Sequence, residues 1–139
     1  MDPRFRFSSD LADIDRAQVH AWLSEQSYWA QGRPRELQEQ AIDGSANFAV
    51  IDTGTSRQVA YARVVTDRAT FAWLCDVFVD PAVRGLGVGV GLITGVVAAI
   101  DSWGLRRTVL CTRDAHGLYA RFGFEALNGS PRWMVRGAP

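Results

Sequence analysis

Between Val79 and Ile93 the chain reads VDPAVRGLGVGVGLI, with glycines at 85, 87, 89 and 91 directly after an arginine. This stretch constrains the fold more than any other. Glycine is a poor helix former, yet the apolar run that follows, VGLITGVVAAI, reads as a helix. A chain accepts that local cost where its backbone must come close to something. The order here is strand, Pro81, Arg84, alternating glycines, helix. A helix start presents unpaired N–H groups and partial positive charge, and glycine removes the Cβ that would hold a ligand away. With the donor fork of Arg84, these parts make an anion site suited to phosphate.

Two familiar phosphate motifs are excluded. All fifteen basic residues are arginine, so a Walker loop has no lysine to use and no Schiff-base lysine exists. The dinucleotide fingerprint needs a third glycine where this chain has Val90 or Leu92. Close helix packing through small residues is the plainer explanation for Gly91, Gly95, Ala98 and Ala99. Formal net charge is zero, which points to neither nucleic acid nor a membrane surface as partner.

The 139 residues contain no repeat or linker and read as one domain, 1–139. RFRFS alternates as a first strand. DLADIDRAQVHAWLSEQ follows as a helix capped by Ser9 or Asp10, with an apolar stripe of Leu11, Ile14, Val19 and Leu23. RPRELQEQAI reads as a second helix with Pro34 in its first turn, and the loop SYWAQGR lies between the two. The strands ANFAVID, QVAYARVVT and TFAWLCDVFVD are joined by tight turns. After the helix at roughly 87 to 102 come the strand RTVLCT, the short helix DAHGLYARF and a closing strand RWMVR. The fold class is therefore α/β (α+β), with a mixed, mostly antiparallel sheet and about four helices; the tight turns count against a doubly wound fold. Cys75 and Cys111 sit in apolar strand-like runs and are expected to be buried, reduced thiols. No signal peptide or membrane span is indicated, and a reducing cytoplasm is the expected location.

RGLGVG (84–89) resembles the R/Q-x-x-G-x-G/A signature of the GNAT acetyltransferase superfamily. VFVDPAVRG before it resembles that family's strand-to-loop approach, and LYARFGF (118–124) resembles its L-Y-x-x-x-G-F segment. The resemblance spans roughly residues 71 to 124. It implies a GNAT-like fold and acetyl-CoA as cosubstrate, with the pyrophosphate held by Arg84, Gly85, Leu86, Gly87, Val88 and Gly89. It implies that the pantetheine arm lies along Val77, Phe78 and Val79 as an added strand would, and that the Tyr119 hydroxyl points at the coenzyme sulfur. The family often has asparagine where this chain has Thr112, which puts a polar cofactor contact there in question.

Acetyl transfer to an amine needs a neutral nucleophile, donors for the carbonyl oxygen and a proton for the departing thiolate. Tyr119 is the candidate acid, although its spacing with Ala115, Leu118 and Phe122 equally suits a core tyrosine. Asp76 interrupts an apolar strand, and a carboxylate there needs a partner or a purpose: a base, an electrostatic anchor for the acceptor's ammonium, or one half of an ion pair with an arginine. His116 is read as a helix-start residue, Asp114 as a helix cap and His20 as structural or solvated. Tyr28, Trp29 and Trp73 are acceptor-site candidates, with Trp73 on the face opposite Asp76 unless a bulge intervenes. No cluster has metal-ligand spacing, and this chemistry needs no metal.

The leading reading is an acetyl-CoA-dependent N-acetyltransferase acting on a small-molecule primary amine by direct attack in a ternary complex. A catalytically silent CoA-binding module and a protein N-acetyltransferase are the alternatives, and a homodimer is left open.

Overall fold

Four successive apolar-rich stretches, two of them buried on both faces, build an antiparallel meander, to which one crossover adds a parallel strand. In the computed structural model, which describes residues 1–137, the sheet order is β1 (Phe5–Ser8), β2 (Ala46–Asp52), β3 (Arg57–Thr66), β4 (Phe71–Val79) and β5 (Arg107–Leu110). Neighbours are antiparallel except β4 and β5. The helices are α1 (Arg16–Gln26), α2 (Arg35–Asp43), α3 (Val88–Trp103) and α4 (His116–Ala120). A parallel pair cannot be closed by a tight turn, and α3 is the crossover that carries the chain from β4 to β5.

Two cores sit on opposite faces of the sheet. On one, Val88, Leu92, Ile93, Val96 and Ile100 of α3 pack on Ala60, Ala62, Val64, Ala72 and Leu74. Each large side chain buried there contributes about 1.5–3 kcal/mol relative to exposure. On the other, Val19, Trp22 and Leu23 of α1 and Ile42 of α2 cover Ala49, Ile51, Tyr61 and Phe78, with Trp22 stacked on Phe78 at 5.5 Å.

Leu74 and Phe78 lie four residues apart on one strand yet belong to different cores, which strict alternation forbids. A bulge is the reason. Tyr61 pairs with Phe78 and Arg63 with Cys75, so β4 carries one residue more than β3 between these pairs. The extra residue is accommodated where Asp76 adopts φ +52°, a left-handed conformation that aspartate tolerates better than most side chains.

Four expectations are corrected. The first predicted helix is divided: a 3-10 turn at Leu11–Asp13, capped by Asp10, precedes α1, whose own cap is Asp15. Two cap-forming aspartates five residues apart each start a separate turn, and Leu11 is left exposed. RWMVR forms no strand; Met134 is 95% exposed, and Trp133 lies under the Arg107 guanidinium at 5.2 Å. Cys75 is only half-buried, and Cys111, beyond the end of β5, is exposed. Asp114 does not cap α4: Thr112 Oγ1 accepts from the Ala115 N–H at 3.0 Å instead.

Candidate active site

The glycine-rich stretch divides into two jobs. Gly85 and Gly87 have φ of +81° and +78°, a region costly for residues with a Cβ; a Cβ on Gly85 would meet nothing within 4 Å. Gly87 caps α3 with no side-chain hydrogen bond, so the first N–H groups of the helix face an open cradle. Gly91 and Gly95 serve packing. A Cβ at Gly91 would collide with the Met1 side chain, and one at Gly95 with the Phe7 ring. Arg84 folds back so that its Nε donates to the Val79 carbonyl at 3.0 Å, and its guanidinium lies 5.4 Å from the Phe78 ring centre. Leu86 is exposed, Val88 is buried in the α3 core and Gly89 lies beside Val79.

Downstream of Leu74 the sheet parts. The register of β4 with β5 runs from Phe71↔Arg107 to Leu74↔Leu110 and ends there, while β4 continues to Val79. The main chain of Val77, Phe78 and Val79 therefore has β3 on one side and no strand on the other. This free edge leads directly into the Arg84–Gly89 cradle. An extended arm ending in a diphosphate fits such a place: unpaired strand amides, then a turn with no Cβ in the way, then a helix start.

Tyr119 is buried on α4, in edge contact with Phe124 at 5.9 Å. Its hydroxyl makes no hydrogen bond among the described residues. Burial, and then the neighbouring Tyr28 and Asp114, push its pKa up to about 12. At neutral pH the phenol keeps its proton and so stands as a donor to charge developing on a nearby atom such as a nascent thiolate. Tyr28 joins this group: its Oη accepts from the Arg113 N–H at 3.2 Å, and the Arg113 guanidinium stacks on its ring at 3.8 Å. The adjoining Trp29 meets Tyr28 edge-on at 4.9 Å. The loop between α1 and α2 is thus fastened to the segment leaving β5. His20 anchors the other end of that loop, its Nε2 lying 2.8 Å from the Arg33 carbonyl, while His116 opens α4 as an exposed residue.

Asp76 occupies a different situation from the one expected of a base. Its carboxylate is buried and accepts four donors: Trp29 Nε1 at 2.9 Å, Arg33 Nη1 at 2.8 Å, Arg33 Nη2 at 3.3 Å and Arg63 Nε at 2.9 Å. Burial by itself would raise its pKa. The Arg33 hydrogen bonds and the charges of both arginines outweigh that and hold it below the ordinary carboxylate value. A carboxylate so saturated neither accepts a proton at neutral pH nor has a lone pair left for an ammonium. Of the three readings of Asp76, the geometry favours the ion pair.

The bulge also turns Asp76 onto the face of Trp73. Trp73 lies on the α1 side, paired across the strands with Val65 and Val109. Together with Phe71, these residues line an apolar depression of about 590 Å³. A larger groove of about 790 Å³ runs along the outer edge of β5, with Thr112 and Tyr119 in its wall.

Arg33, Arg63 and Arg113 were missed by sequence reasoning. Arg63 carried a usable signal, since it interrupts the apolar strand VAYARVVT as Asp76 interrupts FAWLCDVFV. Two lone, opposite charges in adjacent strands are natural partners. Arg33 and Arg113 sit in polar loops and gave none. Burial pushes the Cys75 thiol up to about 12, which makes it inert as a nucleophile at neutral pH. Among the described residues no group of His, Cys, Asp and Glu is placed to hold a metal, and no helix is long and apolar enough to cross a membrane.

Comparison with known proteins agrees with this architecture. A solved GNAT-family protein of Xanthomonas campestris, provisionally named an acetyltransferase, superposes with a TM-score of 0.91 at 44% identity, covering 99% of this chain and 95% of that one. A Gibberella zeae protein with a similarly provisional acetyltransferase name is 27% identical over 94% of this chain and 88% of its own length. The N-acetylglutamate synthase of Neisseria gonorrhoeae, solved with coenzyme A and N-acetylglutamate, shares the fold at a TM-score of 0.67 and 16% identity, over 88% of this chain and 28% of that one. The sequence model of the Acetyltransferase (GNAT) family matches residues 16–124. The chain belongs to the GNAT acetyltransferase family.

Proposed function

We propose that this protein is an acetyl-CoA-dependent N-acetyltransferase whose acceptor is a small-molecule primary amine. The reading is carried by the parting of β4 from β5 after Leu74, at a point between the Arg84–Gly89 cradle and Tyr119. In this reading Arg84 and the amides from Gly85 to Gly89 hold the diphosphate. The free edge at Val77–Val79 takes the pantetheine arm and supplies N–H donors for the carbonyl oxygen. Thr112 retains its hydroxyl proton for the ligand while its oxygen accepts from the Ala115 N–H. When bound, acetyl-CoA supplies a thioester whose acetyl carbon is open to attack and whose thiolate leaves.

Tyr119 holds the proton at its Oη and gives it to the leaving sulfur, then regains one from solvent. The amine lone pair forms the new C–N bond as the C–S bond breaks, and the proton displaced from nitrogen passes to water. With Asp76 saturated and His116 exposed, no side-chain base is assigned, so the acceptor reacts as the neutral amine. Tyr28 and Trp29 close one side of the acceptor site and Trp73 the other. Its aromatic walls beside the Arg33–Arg63 pair suit a small molecule better than a basic polypeptide segment.

Calorimetry with CoA, followed by thiol release with a panel of amines, tests this. Binding that weakens in Arg84→Ala, and further in Gly87→Val, is the expected result. Equal affinity in all three proteins would falsify the phosphate assignment, and CoA binding without thiol release across the panel would favour a silent CoA-binding module.

A further inference from the structure

The cluster around Asp76 is unbalanced in both charge and hydrogen bonding. Two guanidiniums, Arg33 and Arg63, converge on one carboxylate, and among the described residues no second carboxylate pairs with either. Their side chains are 17% and 10% exposed, so one positive charge is held without a counterion where water is scarce. Uncompensated charge in such a place is costly. The acceptors are used up, because the two oxygens of Asp76 take four donors. Donors remain in surplus. Gln38, fully buried, gives its Oε1 to Arg33 Nη1 at 2.9 Å, while its Nε2 has no partner at all. Arg63 spends Nε on Asp76 and Nη1 on Ser45 Oγ, which leaves Nη2. An ammonium finds nothing to bind here, whereas an anion finds both charge and donors.

Next to this cluster on the same sheet face lies the apolar depression. The Arg63↔Cys75 pair is followed two residues on by Val65↔Trp73, with Phe71 and Val109 beyond. Trp29, hydrogen-bonded to Asp76 and 42% exposed, adds an aromatic surface beside the charged cluster. We infer that the acceptor carries a carboxylate beside an apolar side chain, the carboxylate held by Arg33 and Arg63 and the side chain lying on Trp73: an apolar or aromatic amino acid, or a closely related amino acid derivative. This rests on the acetyl-transfer reading for the amine's fate, but the binding claim stands separately.

The probes are 3-phenylpropanoate and its neutral twin 3-phenylpropanamide, titrated into the full chain with and without CoA and followed by NMR. Charge-assisted hydrogen bonds predict that the acid binds about tenfold more tightly than the amide, or better. That preference should collapse in Arg33→Gln, be partly kept in Arg33→Lys, and shrink with added salt. Turnover should favour phenylalanine over phenethylamine by a similar factor. Equal binding of acid and amide, a preference for the amide, or binding of neither overturns the inference. Failure of CoA to bind would instead remove the acetyl-transfer reading, while the acid–amide comparison run without CoA still decides this one.

Discussion

Asp76 carries the heaviest local constraint in the molecule, and its chemistry follows from it. Asparagine tolerates the left-handed backbone at this position almost as well as aspartate, so Asp76→Asn removes charge without disturbing the bulge. Arg63, buried, and Arg33, partly buried, then lose the carboxylate they share, and the expected loss of stability is about 3–5 kcal/mol, measurable by urea unfolding. Because the folded pKa lies below the ordinary carboxylate value of 3.8, the contribution is complete above that value and is lost as pH falls through the lower folded one. The wild-type midpoint should therefore fall toward the variant's as the medium is acidified below pH 4. Tyr119→Phe is a milder change. A thiol of pKa near ~8.5 leaves fairly well unaided, so kcat should drop several-fold with CoA affinity unchanged. With no enzymic base assigned, kcat/KM should climb with pH up to the acceptor's own pKa and show no acid limb near 4; an Asp76-dependent limb would restore the base. The sequence exposed Asp76 and Tyr119 because each breaks or completes a short pattern. It could not say which partner Asp76 takes, since Arg33 reaches it from 43 residues away through a loop.

At the scale of elements, the meander, the crossover and the helix after the glycines were all legible, because periodicity and turn residues are local signals. Two things were not. The bulge in β4 depends on pairing with β3, so alternation alone put Asp76 on the face opposite Trp73. RWMVR has the alternation of a strand, but a strand needs an edge to pair with, and this segment makes none. Glycine spacing also hid a division of labour. The turn-forming pair, Gly85 and Gly87, and the packing pair, Gly91 and Gly95, look alike in sequence and differ only in what surrounds them. Gly95→Val separates the roles: driving a side chain into the Phe7 ring should cost about 1–3 kcal/mol of stability while leaving CoA affinity nearly unchanged. Gly87→Val should do the reverse in emphasis, weakening CoA strongly by closing the cradle.

For the molecule as a whole, the ligand site is assembled from pieces distant in sequence: the α1–α2 loop, the second half of β4, the start of α3 and the segment after β5. A ligand that bridges them should stabilise all of them together. At a CoA concentration one hundred times its dissociation constant the expected gain is about 2.7 kcal/mol, visible as a raised Tm that Arg84→Ala diminishes. The same geometry explains why the general fold was readable while the acceptor was not. Core positions are dictated by one-dimensional patterns, but the proposed acceptor surface arises only when Tyr28, Trp29, Arg63 and Trp73 are brought to one side of a bent sheet.

Met1 rests against Gly91, with its Cα 4.0 Å from where a Cβ on Gly87 would stand. Any polypeptide fused ahead of it would emerge at the mouth of the proposed nucleotide cradle. Protein purified with an amino-terminal affinity handle should therefore show a poorer dissociation constant for CoA than protein carrying the handle at its other end, and cleaving the handle should restore it.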